Sequence, residues 1–175
     1  LNSGSLTGTS GNDVFNITAD NTVTTKAIDF TSVASVDAGA GDADEITSDI
    51  TVAATLNGTN ALNGAGIDFS NIEKAGLNSG SLTGTSGNDV FNITAANTVT
   101  TKDISFTGVA SVDAGDGTAD GITSDIVVAA TLTGTNALNG AGIDFSNIEK
   151  AGLNSGSLTG TSGNDVFNIT AANTV

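Results

Sequence analysis

Residues 1–26 return at 77–102 with a single change and begin again at 153, so the chain is two whole copies and a fragment of a 76-residue unit. A tandem unit narrows what can fold, because every copy presents the same faces and buries them most simply against its neighbours. The boundaries are 1–76, 77–152 and a partial 153–175, expected to form one continuous solenoid. The whole copies differ at nine positions: Asp20/Ala96, Ala27/Asp103, Asp29/Ser105, Ser32/Gly108, Ala40/Asp116, Asp42/Thr118, Glu45/Gly121, Thr51/Val127 and Asn57/Thr133. Every Ile, Leu and Phe of the first copy is kept in the second, as expected of a core beneath a tolerant surface. The absence of an initiator Met and of any divergent terminal unit reads as an excerpt from a longer array.

A half-repeat lies inside each unit. Phe30-Thr-Ser-Val33-Ala-Ser-Val36, Phe69-Ser-Asn-Ile72-Glu-Lys-Ala75 and their copies from Phe106 and Phe145 share one pattern, at spacings of 39, 37 and 39. The runs 13–18, 22–25, 28–30, 33–36, 45–50 and 51–56 alternate or are β-branched and end at Gly, Asn or Asp, which predicts strands. Helical spacing fails throughout; Asn71–Lys74 carries a faint helical hint and is assigned as strand. The expectation is all-β, a parallel β-solenoid of about 19 residues per coil, with a string of small β-sandwich repeats as the alternative.

Charge and composition exclude several function classes. Nineteen acidic residues face four lysines, for a net charge of −15, and no basic patch exists to hold nucleic acid. No apolar run is long enough to span a membrane. With no His, Cys or Arg, nothing groups a nucleophile with a base, so catalysis is not expected.

Gly8-Thr-Ser-Gly11-Asn-Asp13-Val-Phe15-Asn16, repeated from Gly84 and Gly160, resembles the calcium-binding nonapeptide G-G-x-G-x-D-x-U-x of RTX proteins, with Thr9 at the second Gly. Looser versions are Gly39-Ala-Gly41-Asp42-Ala-Asp44 and Gly115-Asp-Gly117-Thr-Ala-Asp120. The whole unit is similar to repeats of very large bacterial surface proteins grouped with RTX adhesins and haemagglutinin-like β-helices. That resemblance implies secretion to the cell surface and makes Asp13, Asp37, Asp42, Asp44, Asp89, Asp113, Asp116, Asp120 and Asp165 candidate Ca2+ ligands. The good nonapeptides stand alone, 76 residues apart, and the other reading of each is a Gly-Asn-Asp turn whose side chain caps backbone amides. No cofactor is required.

The sequence therefore points to a structural rod, the stalk of an adhesin or the body of an extracellular filament. An RTX-type module that stiffens on Ca2+ is the alternative. Its expected partner is itself, through stacked repeats, with cell-surface or matrix partners engaged by other regions.

Overall fold

The computed structural model describes residues 3–168. Among them the regular structure is entirely β, in one hydrogen-bonded network of nineteen strands. Strand registers resolve this network into two facing walls that share a core. The expected solenoid is present, but its turns are unequal where the sequence suggested an even nineteen residues.

The inequality comes from hairpins. Val14–Ala19, Thr22–Thr25 and Ile28–Thr31 form an antiparallel meander on the first wall, turning at Asp20-Asn21 and Lys26-Ala27. Val33–Asp37 then crosses to the second wall, and Glu45–Ser48 returns to the first, parallel to Val14–Ala19. The second half of the unit repeats this plan with the walls exchanged. Ala53–Gly58, Ala61–Gly64 and Ile67–Ser70 form a meander on the second wall. Lys74–Thr83 then begins on the first wall beside Glu45–Ser48 and ends on the second beside Ala53–Gly58. The half-repeat of the sequence is thus an exchange of walls, and its Phe30 and Phe69 each sit on the last strand of a meander. Successive entries to the first wall begin at Val14, Glu45, Lys74 and Val90, giving turns of 31, 29 and 16 residues.

Alternation places one side chain in two inside. On the first wall Phe30, Val23 and Ile17 pair across the meander; Phe15 stacks on Ile46, Ile46 on Ala75, and Ala75 on Phe106 of the next copy. On the second wall Val36, Phe69, Leu62 and Leu56 follow in the same way, then Ala54, Leu82 and Val112. Phe15, Phe69, Phe91, Phe106 and Phe145 are fully buried in this single core, each contributing about 1.5–3 kcal/mol.

One detail differs from the sequence reading. Asn71–Glu73 is an irregular connection, with strand beginning only at Lys74, because Asn71 takes a left-handed φ of 57°. Asn16 points outward between Phe15 and Ile17 and donates to Asp49 Oδ2 at 3.0 Å. The string of sandwiches is not what forms. Lys74–Thr83 runs through the junction between copies and pairs with Ile104–Asp113 over seven positions, more than any other strand pair among the described residues.

Candidate functional site

Every connection from the second wall back to the first runs along one edge of the solenoid: residues 8–13, 38–44 and 71–73, then their equivalents. The registers require each connection to advance three strand spacings, while each meander steps back two. The advancing edge leaves backbone N–H groups that no adjacent strand can reach, and carboxylates take them.

Asp13, Asp44 and Glu73 form a ladder there, one per turn. Asp13 N–H donates to Asp44 Oδ1 at 2.7 Å, and Asp44 N–H donates to Glu73 Oε2 at 2.8 Å. Asn60 Nδ2 donates to the other Glu73 oxygen at 2.7 Å. The second copy repeats the ladder with Asp89, Asp120, Glu149 and Asn136 at 2.7, 2.8 and 2.8 Å. Asn60 N–H donates to Lys102 O at 2.9 Å, which joins the two ladders across the copies.

The first rung also carries a cation. Thr9 N–H and Oγ1 hold Asp13 Oδ2 at 2.5 and 2.9 Å, while Oδ1 meets Lys26 Nζ at 2.5 Å. Lys102 meets Asp89 Oδ1 at 2.6 Å, with Thr85 on the other oxygen. These carboxylates are buried, and neither Oδ1 has a neutral donor, so the lysine is its one partner. The Lys26 ammonium first, then the Thr9 N–H, lower the Asp13 pKa from its ordinary 3.8 to about 2, against the upward push of desolvation.

The remaining candidate ligands are placed apart from one another. Asp44 and Asp120 are fully buried, and the Oδ2 of each has no hydrogen-bond partner. Asp37 and Asp113 are exposed; their Oδ1 atoms accept from Gly39 and Gly115 N–H at 3.1 Å and from Asn71 and Asn147 Nδ2 at 2.8 and 2.7 Å, as capping side chains do. Asp42 and Asp116 point to solvent. Asp165 is exposed and accepts from Thr161 Oγ1 at 2.9 Å. Among the described residues no three acidic groups converge as a metal cage. The closest approach to a ligand set is the Asp44 carboxylate with Asn12 Oδ1, both within 3.0 Å of where a Cβ on Gly41 would lie.

Sequence reasoning missed Glu73, Lys26, Asn60 and their copies. A signal was present: Asp13, Asp44 and Glu73 each stand two positions before an inward residue, Phe15, Ile46 and Ala75, so all three share one phase of the turn.

No family model, curated protein or solved structure matches this chain. No helix among the described residues is long and apolar enough to cross a membrane.

Proposed function

We propose that this chain is a length-setting rod, the repetitive stalk of an extracellular adhesin or the body of a filament, and that it carries no catalysis. One observation supports the reading above the others: the seam between copies, Lys74–Thr83 against Ile104–Asp113, pairs over seven positions and feeds both walls. A junction with more backbone pairing than the units it joins has no reason to hinge. Each unit adds five strands to each wall, or about 24 Å at the usual strand spacing of about 4.8 Å. The acidic surface, with a net charge of −15, keeps parallel rods from clumping. Chains of two, four and eight units compared by small-angle scattering are expected to lengthen by about 24 Å per unit at constant cross-section. A length growing as the square root of unit number, the behaviour of jointed beads, rules the rod out.

The Ca2+ reading has its own support in the unpartnered, fully buried Oδ2 atoms of Asp44 and Asp120. A hard cation held by that carboxylate, Asn12 or Asn88 Oδ1 and loop carbonyls is chemically suited to those oxygens. Melts with Ca2+ and with EDTA test it: a Tm raised by Ca2+ and lost in Asp120→Ala supports it, and coincident melts remove it.

A further inference from the structure

We propose, on the rod reading above, that the meanders are latches against unravelling and that tension along the rod is released in half-unit steps, not strand by strand. In a plain solenoid the strand joined to the pulled end is always the edge strand, so turns peel away singly. The backward steps of the meanders change that order. Along the first wall, the start of Lys74–Thr83 is followed by the start of Ile104–Asp113, then Thr98–Thr101, Val90–Ala95 and Gly121–Ser124. A pull from the N-terminal side that has cleared residues up to 89 reaches this wall at Val90, with two strands still outside it. A pull from the C-terminal side reaches the same meander at Thr107, again with two strands outside it. The second wall repeats the arrangement: Val33–Asp37, Ile67–Ser70, Ala61–Gly64, Ala53–Gly58 and the end of Lys74–Thr83 follow in that order.

The strand under tension is therefore held on both sides. Val90–Ala95 pairs with Gly121–Ser124 over four positions and with Thr98–Thr101 over three, and both ladders must fail together before it moves. Once it leaves, Thr98–Thr101 and the start of Ile104–Asp113 have no neighbour left on the wall and follow it. The crossing strands between meanders lie at the edge when tension reaches them and peel with the same event. One step is thus one meander with its crossing strands, which is the half-repeat of the sequence.

The points where tension arrives are also tied to the meander's own turns. At the entry, Asp89 directly precedes Val90 and pairs with Lys102, which sits on the turn between Thr98–Thr101 and Ile104–Asp113. An ordinary ion pair suffices, because its position spans from the pulled residue to the outer hairpin. At the exit, Val109 N–H donates to Asn97 O and Val109 O accepts from Asn97 Nδ2, both at 3.0 Å, and Asn97 sits on the first turn of the meander. Asn21 holds Val33 in the same way at 2.9 and 3.0 Å. On the second wall Asn60 O accepts from Ile72 N–H at 3.1 Å while its Nδ2 donates to Glu73 Oε1 at 2.7 Å. Every described meander but that of the partial copy has its exit closed by the asparagine of its first turn, except that Asn136 meets Ile148 and Glu149 at 3.0 and 2.8 Å in place of Ile72 and Glu73.

Force spectroscopy of the 175-residue chain, held by its two ends, tests this. Extension is expected in discrete steps of one half-repeat, 37 to 39 residues by the spacing of its Phe positions. Each step should add about 130 Å of contour at about 3.4 Å per residue. Forced unfolding follows the unfolding barrier, so a lost tie reads as a lower rupture force at the same pulling speed. Asn97→Gly keeps the left-handed turn at φ 52° and removes the side-chain donor, and it should lower the force of one step while leaving the step length unchanged. A smooth plateau, strand-sized steps or a single rupture of the whole chain overturns the latch and leaves the rod intact. Steps of a whole 76-residue unit overturn both, because separate beads would open that way. An unchanged force at every step in Asn97→Gly overturns the part given to the asparagine.

Discussion

The two edges of the solenoid solve the same problem with different chemistry. On the advancing edge, Asp13 N–H is capped by the Asp44 carboxylate; 39 residues on, at the opposite edge, Val52 N–H is capped by Leu77 O at 3.0 Å. Both residues pass their own carbonyl to the strand entering next, at Glu45 and Ser81. The opposite edge is tied by Asn21, whose Nδ2 donates to Val33 O at 3.0 Å and Gly66 O at 2.7 Å. Gly66, at φ 75°, has the Asn21 amide 3.0 Å from where its Cβ would lie, so this turn accepts only glycine without displacing that tie. A backbone ladder needs a partner at one strand spacing; where a connection leaps three, a side chain must reach instead, and a carboxylate supplies two acceptors at once.

The largest test is to move the charge to the wrong edge. Val52→Asp buries a carboxylate with no cation and should cost several kcal/mol, enough to unfold the chain in chemical denaturation. Adding Ala65→Lys should recover much of that loss, because the wall-exchanged site then holds the pair that Asp13 and Lys26 form. Strict additivity of the two changes in a double-mutant cycle would break the equivalence of the edges.

The copies allow a second comparison. Ile28 and Ile104 occupy the same position, yet Ile28 is 55% exposed and Ile104 fully buried, because repeat one covers repeat two. Phe106→Ala should therefore cost about 3–5 kcal/mol and the half-buried Phe30→Ala distinctly less, read as denaturant midpoints. Equal losses would mean that stacking adds nothing to the core.

Acid separates the edges more gently. The Asp13 pKa is lowered from 3.8 to about 2, so its contribution is complete above the ordinary value and is lost as pH falls through the folded one. Between pH 4 and pH 2 the Tm should drop, and Lys26→Gln should flatten that part of the drop. The smallest effect belongs to the turns. Ala27→Gly relieves a left-handed alanine at φ 59° and should stabilise by about 1 kcal/mol or less, visible as a small rise in Tm.

Much of the fold was legible. The runs 22–25 and 33–36 fall within the strands Thr22–Thr25 and Val33–Asp37, because alternation of β-branched residues with polar ones has only one simple burial solution. The meanders were not legible as such. Lys26-Ala27 and Ala65-Gly66 are unusual two-residue hairpin turns, and nothing in their composition marks them as places where a solenoid doubles back. The candidate site was half legible. Asp13 and Asp44 stand out by motif, but Glu73 and Lys26 belong to no motif, since their partners lie 29 and 13 positions away.

From the order of residues alone came the unit length, the all-β character, the inward and outward phases and the exclusion of a basic surface. These depend on local periodicity and composition, which a chain carries whether or not it is folded. Only the tertiary structure decided that the half-repeat exchanges walls, that turns run 31, 29 and 16 residues, and that buried carboxylates line one edge alone. Register between distant strands decides those features, and register is a property of stacked turns that no single turn possesses.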